Sequence, residues 1–122
     1  MDKRKELGRR GEDLAAGHLE TLGYKLAARN HVNRLGELDL VALDGETVVV
    51  VEVKSRARAG RPPSEAVTSR KRRKLIQVAL LFLKLKRLQD RPVRFDVVEV
   101  VAPPGSTPVI NHIPRAFQAD DI

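Results

Sequence analysis

The sequence has 122 residues, a length at which we expect a single domain spanning residues 1–122. Lysine and arginine number 23 against 16 aspartate and glutamate residues, so the chain is cationic and should attract polyanions such as nucleic acid. The absence of cysteine excludes disulfides and thiolate metal sites, and no apolar segment is long enough for a bilayer, so we expect a cytoplasmic protein with no membrane partner.

The first quarter of the chain predicts one helix, one short strand and a turn. Small and apolar residues recur at helical spacing from Leu7 to Leu22, and Gly23 follows at a position where helices commonly end. The segment from Tyr24 to Ala28 is predicted to be a short strand. The polar segment from Asn30 to Gly36 is predicted to be a turn.

The middle of the chain predicts a β-hairpin followed by a loop. Leu38 to Leu43 and Thr47 to Lys54 have the composition of two strands. Between them lies Asp44-Gly45, a dipeptide that strongly favours a tight turn. The segment from Ser55 to Ala66, rich in arginine and proline, is predicted to be a loop.

The rest of the chain predicts a second helix and two further strands. Thr68 can cap a helix that runs to about Leu88. Val93 to Val101 is a strong strand, and Val109 to Ile113 is a last edge strand bounded by prolines. This order of elements predicts an α/β fold with a mixed central sheet flanked by helices.

Three charged residues on the predicted hairpin share one face of the sheet. Because strand side chains alternate between faces, a two-residue turn at Asp44-Gly45 would place Asp39 opposite Val50 and diagonal to Glu52, about 7 to 8 Å away at the backbone. Lys54 is two residues beyond Glu52 and would therefore lie on the same face. A four-residue loop would place the two acids directly opposite, whereas a three-residue loop would place them on opposite faces.

Two neighbouring carboxylates repel each other unless a cation lies between them. A divalent metal ion is the simplest such cation, and Mg²⁺ in particular prefers one or two carboxylates with its remaining positions filled by water and phosphate. Beside them, Lys54 could orient a water molecule or stabilise negative charge that develops on phosphorus. Asp39, Glu52 and Lys54 therefore indicate phosphodiester hydrolysis.

The spacing of these residues resembles a known nuclease signature. Asp39, followed after twelve residues by Glu52-Val53-Lys54, resembles the PD-(D/E)XK motif, although Leu38 stands where that motif has proline. Four segments together resemble the YraN family of bacterial proteins, which is related in fold to archaeal Holliday junction resolvases: GRRGEDLAAGHLETLGY, GELDLVALDGETVVVVEVKSR, RFDVVEV and INHIPRAF.

The resemblance implies a restriction endonuclease-like core with the element order αβββαβ. It also implies metal binding by Asp39 and Glu52, a catalytic role for Lys54, and an accessory acidic role for Glu12. The metal implied is Mg²⁺, with Mn²⁺ as an alternative. Glu12 borders the apolar stripe of the first helix among small residues, which would let that helix approach the sheet closely.

A basic segment follows the predicted site. Nine basic residues and one acid lie between Lys54 and Lys74, and they would hold a phosphate backbone over the carboxylates. With three Phe and one Tyr, the chain is poorly supplied for base stacking, so duplex or branched DNA is the expected partner. The expected DNA-binding residues are Arg56, Arg58, Arg70, Lys71, Arg72, Arg73 and Lys74.

Two functions remain open from the sequence. The first is a metal-dependent endonuclease that hydrolyses DNA, with branched or damaged DNA among the candidate substrates. The alternative is a nucleic-acid-binding protein on a nuclease scaffold without independent turnover. Cutting both strands of a duplex together would require a homodimer that presents two sites.

Several other polar residues are predicted to have structural roles. His18, His31 and His112 show no spacing typical of metal ligands. Asp96, within a run of valines, is expected to be a buried carboxylate paired with Arg94 or with a neighbouring backbone group.

Overall fold

A computed structural model describes residues 2–60 and 67–119 of the chain. In these residues the chain forms two helices and five strands: α1 (Lys3–Thr21), β1 (Lys25–Asn33), β2 (Gly36–Asp44), β3 (Thr47–Arg56), α2 (Ser69–Leu85), β4 (Val93–Val101) and β5 (Val109–Phe117). Neither helix is long and apolar enough to cross a membrane.

The five strands form one mixed sheet in the spatial order β1-β2-β3-β4-β5. β3 and β4 are parallel and are connected through α2, whereas the other neighbouring strands are antiparallel. The predicted mixed α/β fold is confirmed, and the sheet is compatible with a nuclease-like core. β5 follows the αβββαβ core, and it confirms the edge strand predicted from Val109.

Each face of the sheet is covered by one helix and has its own apolar core. On β3, Val48 and Val50 pack in the core that contains α2, whereas Val49 and Val51 pack in the core that contains α1. Because side chains alternate along a strand, the next residue of the first set is Glu52. The valine-rich strand therefore turns an acid toward the α2 face at the point where its apolar pattern ends.

The β2–β3 hairpin has a different turn from the one predicted. Asp44 pairs with Thr47, so the central turn residues are Gly45 and Glu46, and Gly45 has a φ of 60°. Glycine tolerates this left-handed conformation at the first central position of a tight turn. The prediction that placed Asp44-Gly45 at the centre of the turn was wrong by one residue.

The shifted turn changes the strand register between Asp39 and Glu52 but leaves both side chains on the same face of the sheet. The observed pairing runs up to Leu40 opposite Val51, and one further step places Asp39 opposite Glu52. The predicted diagonal offset was therefore wrong, and the four-residue-loop alternative gives the observed register. A shift by an even number of residues keeps both acids on the same face.

Two strands extend into segments that the sequence predicts to be turns or ends. β1 continues to Asn33, and its Asn30 has a φ of 51°, which asparagine tolerates better than most residues. The connection to β2 is thereby reduced to two residues. β5 continues past Pro114 to Phe117, because an edge strand can accept a residue without a backbone N–H.

The predicted helices are confirmed with small changes at their ends. α1 begins at Lys3 because the Asp2 side chain caps it, accepting a hydrogen bond from the Arg4 N–H at 2.9 Å. Thr68 caps α2, as predicted. The predicted Ser55–Ala66 loop overlaps β3, which runs to Arg56, and its residues 61–66 lie outside the described residues.

Candidate active site

The Asp39 side chain takes part in the backbone hydrogen bonding of the hairpin. Regular pairing of β2 with β3 ends at Leu40 and Val51, one residue before the two acids. Beyond that point Asp39 Oδ2 accepts a hydrogen bond from the Val53 N–H at 2.8 Å. The contact fixes one oxygen of Asp39 against β3, beside Glu52.

The carboxyl groups of Asp39 and Glu52 interact directly. Glu52 is 6% exposed, and Asp39 is partly buried. Burial, the hydrogen bond to Glu52 and the charge of Glu52 raise the pKa of Asp39 to about 8. Burial by itself would also raise the pKa of Glu52, but its hydrogen bond to Asp39 and the Lys71 ammonium lower it. Without a metal ion, the pair therefore shares a proton up to about pH 8.

Two ammonium groups lie beside the acid pair. Lys71, in the first turn of α2, places Nζ 2.8 Å from Glu52 Oε2. Lys54 lies near both acids, and burial and the Lys71 ammonium lower its pKa while the acids oppose that change. The structure thus brings Asp39, Glu52 and Lys54 together, as the sequence predicts, and adds Lys71 to them.

Glu12 reaches the site from α1, on the other side of the sheet. A Cβ added at Gly11 would collide with Ser55 Oγ, so α1 approaches β3 as closely as a glycine allows. Glu12 and Lys54 line one cleft of about 370 Å³. The charge of Glu12 is close enough to raise the pKa of Asp39, so Glu12 lies near the pair.

Asp39 and Glu52 are the residues that could hold a divalent metal ion, which would keep most of its water. In residues 2–60 and 67–119, no group of three or more acidic, histidine or cysteine side chains could hold a metal ion. Asp39 and Glu52 would therefore be two protein ligands, which is the number that Mg²⁺ commonly accepts while it retains water or phosphate. Two neighbouring carboxyls, one buried and one partly buried, that otherwise share a proton are suitable hard oxygen donors for such an ion.

The basic segment of α2 presents two kinds of side chain. Arg70, Arg73 and Lys74 are exposed and line an open cleft of about 590 Å³. Arg72 instead donates from Nε to the Val67 carbonyl at 2.9 Å and lies over the Phe117 ring. The predicted DNA-binding residues of α2 are therefore divided between an outer surface and the packing of the helix.

A buried acid near the site was missed in the sequence. Glu99 on β4 is 3% exposed, lies 3.3 Å from Arg56 Nη1, and accepts a hydrogen bond from Asn111 Nδ2 at 3.1 Å. Lys54 is its register partner on β3. The signal was present, because Glu99 interrupts a valine-rich strand just as Glu52 does. Arg56, predicted to bind DNA, is thus anchored to a buried carboxylate, whereas the predicted Arg58 is exposed.

A second buried carboxylate lies away from this site, toward α1. Asp96 is fully buried and forms two hydrogen bonds with Arg94, of 2.9 and 3.1 Å. It also accepts from the Arg115 N–H at 3.0 Å and contacts His112 Nε2 at 2.7 Å. His112 Nδ1 in turn lies 3.0 Å from His18 Nε2. The predicted structural pairing of Asp96 is confirmed.

Comparison with known proteins identifies relatives over most of the chain. The model of the family described as "Uncharacterised protein family UPF0102" matches residues 11–100. A UPF0102 protein of Geobacter metallireducens is 46% identical over 115 residues, which cover 93% of each chain. UPF0102 protein PA4424 of Pseudomonas aeruginosa is 47% identical over 118 residues, which cover 94% of each chain. A UPF0102 protein of Nocardia farcinica is 46% identical over 91% of this chain and 88% of its own.

Proposed function

The chain belongs to the UPF0102 (YraN) family, and from its site we propose that it is a metal-dependent endonuclease that hydrolyses DNA phosphodiester bonds. One observation carries the proposal: Asp39, fixed by a 2.8 Å hydrogen bond from the Val53 N–H, lies against Glu52 in a partly buried pair, with Lys54 beside them. A sheet that only needed to be stable would not place two acids in contact there, because each is costly to bury in its charged form.

The side chains of the site divide the work of hydrolysis between them. Asp39 and Glu52 would hold Mg²⁺, or Mn²⁺ in its place. When bound, such an ion would polarise a phosphoryl oxygen and make a water molecule more acidic. Lys54, which lies near both acids, would orient the attacking water or stabilise negative charge on the phosphate. Glu12 would add negative charge from the α1 side and so favour cation binding.

The surroundings of the site favour DNA as the substrate. Arg70, Arg73 and Lys74 present a cationic surface on the helix that supplies Lys71, so a phosphate backbone held there would pass close to the acid pair. The small number of aromatic residues argues against binding through base stacking. We therefore propose duplex or branched DNA as the substrate and the cytoplasm as the location of the protein.

A specific observation also favours the alternative, DNA binding without independent turnover. Lys71 already neutralises Glu52, and no third acidic ligand joins the pair within the described part of the chain. In that case the cationic surface would bind DNA, and hydrolysis would require a partner or would not occur. Metal binding separates the two functions, because only the nuclease needs an ion at Asp39 and Glu52.

The decisive experiment is a cleavage assay with purified protein and Mg²⁺ or Mn²⁺. Linear duplex, flapped, single-stranded and four-way-junction DNA are compared, with Glu52→Gln purified in parallel as the control for contaminating nucleases. We expect metal-dependent cleavage of duplex or branched DNA by the wild-type protein and none by the variant. Equal cleavage by both would assign the activity to a contaminant, and DNA binding with no cleavage of any substrate would favour the alternative.

Paired cleavage of two strands depends on the assembly state. One chain supplies one Asp39–Glu52 pair, so simultaneous cuts require a two-fold dimer. Sedimentation at micromolar concentration, with and without a four-way junction, measures this directly. A monomer under both conditions would restrict the proposed activity to nicking of one strand.

A further inference from the structure

Lys71 differs from the other basic residues in the first turns of α2. Its Nζ lies 2.8 Å from Glu52 Oε2, although 41% of the Lys71 side chain remains exposed. Arg70, Arg73 and Lys74 are more exposed and line the cleft on the outer side of the helix. Lys71 lines the same cleft, so its side chain lies between the acid pair and the proposed DNA surface.

Lys71 also supplies charge that a metal ion would otherwise supply. With both acids ionised the pair carries two negative charges, and Lys54 and Lys71 supply two positive charges beside them. A divalent ion at Asp39 and Glu52 would add two further positive charges at the oxygen that Lys71 contacts. Like charges at such short range repel strongly when they are partly shielded from water.

We propose that Lys71 is a displaceable counter-ion of the metal site, which leaves Glu52 when a divalent ion binds and then becomes available to a DNA phosphate. This inference rests on the proposed function, because it requires metal binding at Asp39 and Glu52. The four-carbon lysine side chain is long and flexible, and its exposed side already faces the cleft with Arg70 and Lys74. A rotation about its own side-chain bonds would therefore be sufficient, without movement of α2.

The exchange couples metal binding to DNA binding at a single residue. In the metal-free protein the ammonium of Lys71 is engaged by Glu52 and contributes little to phosphate binding. In the metal-bound protein it would add one cationic contact to those of the outer surface. Each added phosphate contact steepens the slope of log DNA affinity against log salt concentration by about 0.9.

The test is calorimetric titration of DNA-free protein with Mn²⁺ alone, at about pH 9 so that protons compete little for the acids. Lys71→Met removes the ammonium and keeps side-chain length and helix propensity, Lys71→Arg keeps the charge, and Lys74→Met removes an outer charge of the same helix as the matched control. Circular dichroism and thermal unfolding establish that each variant is folded.

We expect Lys71→Met to bind Mn²⁺ about five- to a hundred-fold more tightly than the wild type, the range of ordinary coupling between two sites. Lys71→Arg and Lys74→Met should change the affinity much less. Unchanged or weaker binding by Lys71→Met would overturn the inference and would make Lys71 a support for the helix. An equal gain in Lys71→Met and Lys74→Met would also overturn it, because net charge would then be the cause.

The same titration separates this inference from the proposed function. If neither the wild type nor Lys71→Met binds Mn²⁺ at Asp39 and Glu52, the metal site itself fails and both proposals are rejected. If the wild type binds and Lys71→Met binds equally, only the counter-ion role is rejected. The salt dependence of DNA binding is a second readout. Added metal should steepen it for the wild type and for Lys74→Met, and should steepen it less for Lys71→Met. Equal steepening in all three proteins would count against displacement.

Discussion

The Asp39–Glu52 pair and Asp96 lie in the same sheet, and the surroundings of these carboxyl groups differ. Asp96 has hydrogen-bond partners on both oxygens, among them a two-point contact with Arg94 and the backbone N–H of Arg115. Asp39 and Glu52 instead lie against each other, and their nearest cations are two partly exposed lysine ammonium groups. The first arrangement compensates one charge nearly completely, whereas the second places two acids where one must hold a proton.

The difference separates an acid whose oxygens are engaged within the fold from the two acids of the proposed metal site. Hydrogen bonds to Asp96 raise the pKa of Arg94, so the guanidinium stays charged and holds the Asp96 side chain in place. The His112–His18 contact extends the same network from β5 to α1. A buried acid with saturated partners has no free oxygen for an ion, whereas a carboxyl pair that shares one proton can exchange that proton for a metal.

The largest expected effect is on cleavage, and it concerns the Asp39–Glu52 region. Asp39→Asn and Glu52→Gln should each reduce cleavage by about three orders of magnitude or more, because each removes a metal ligand. Metal-free DNA affinity should stay similar at neutral pH, since the wild-type pair already holds one proton and each variant keeps a single acid there. Lys54→Ala should reduce cleavage while metal still binds. Single-turnover cleavage and DNA-binding measurements check these expectations, and undiminished turnover in any variant would place the activity elsewhere.

The next effect is on stability, and it concerns the Asp96 region. Asp96→Asn should lower the free energy of unfolding by about 3 kcal/mol, because it leaves the partly buried Arg94 guanidinium without its buried charged partner. Asp44→Asn is the matched control: Asp44 contacts the same guanidinium at 3.4 Å but is exposed, so its replacement should cost less than about 1 kcal/mol. Denaturant unfolding measures both. Similar destabilisation of the two variants would contradict the contrast between the regions.

A smaller effect distinguishes the two regions by pH. Asp39 has a pKa of about 8 in the folded protein against an ordinary value of 3.8, so the folded state binds more protons between these values. Relative to Asp39→Asn, the metal-free protein should therefore lose stability as pH rises from about 5 to 8, while the lowered pKa values of His18 and His31 act in the opposite direction in both proteins. Asp39→Asn should remove this decline and be more stable at about pH 9, by on the order of 1 to 2 kcal/mol.

Unfolding of both proteins across this pH range, with a chelator present, checks the sign. The matched control is Asp96→Asn, which should keep the decline between about pH 5 and 8 because its acid pair is intact. A wild-type stability that does not fall relative to that of Asp39→Asn through this range would contradict the shared proton.

The smallest effect concerns the outer surface beside the acid pair. Replacing Arg70, Arg73 and Lys74 by Gln should weaken binding to every DNA and reduce the slope of log affinity against log salt by about 0.9 for each phosphate that is no longer neutralised. Arg72 is left in place because it packs against Val67 and Phe117. Cleavage at saturating DNA should change little. An unchanged slope would remove this surface from the proposed DNA site.

Much of the architecture follows from local patterns in the sequence. The valine runs of β3 and β4, the helical spacing in α1 and the Thr68 cap of α2 each predict an element that the structure confirms. It was also predictable that Asp39 and Glu52 share one face of the sheet. A hairpin whose register shifts by an even number of residues keeps the same residues on that face. The turn centre, the length of β1 and the extent of β5 were not predictable, because bulges and edge positions tolerate residues that usually end strands.

The sequence by itself determined which residues carry the candidate chemistry: Asp39, Glu52 and Lys54 are visible as charges at the end of apolar strands, where burial must be compensated. Only the tertiary structure decided which residues contact each buried acid and compensate its charge. The parallel crossover carries α2 back over the sheet, so that Lys71, one of five consecutive basic residues, meets Glu52. The pairing of β4 with β5 brings His112 and the Arg115 N–H to Asp96. Contacts between residues far apart in the chain depend on strand order and helix docking, which no local pattern specifies.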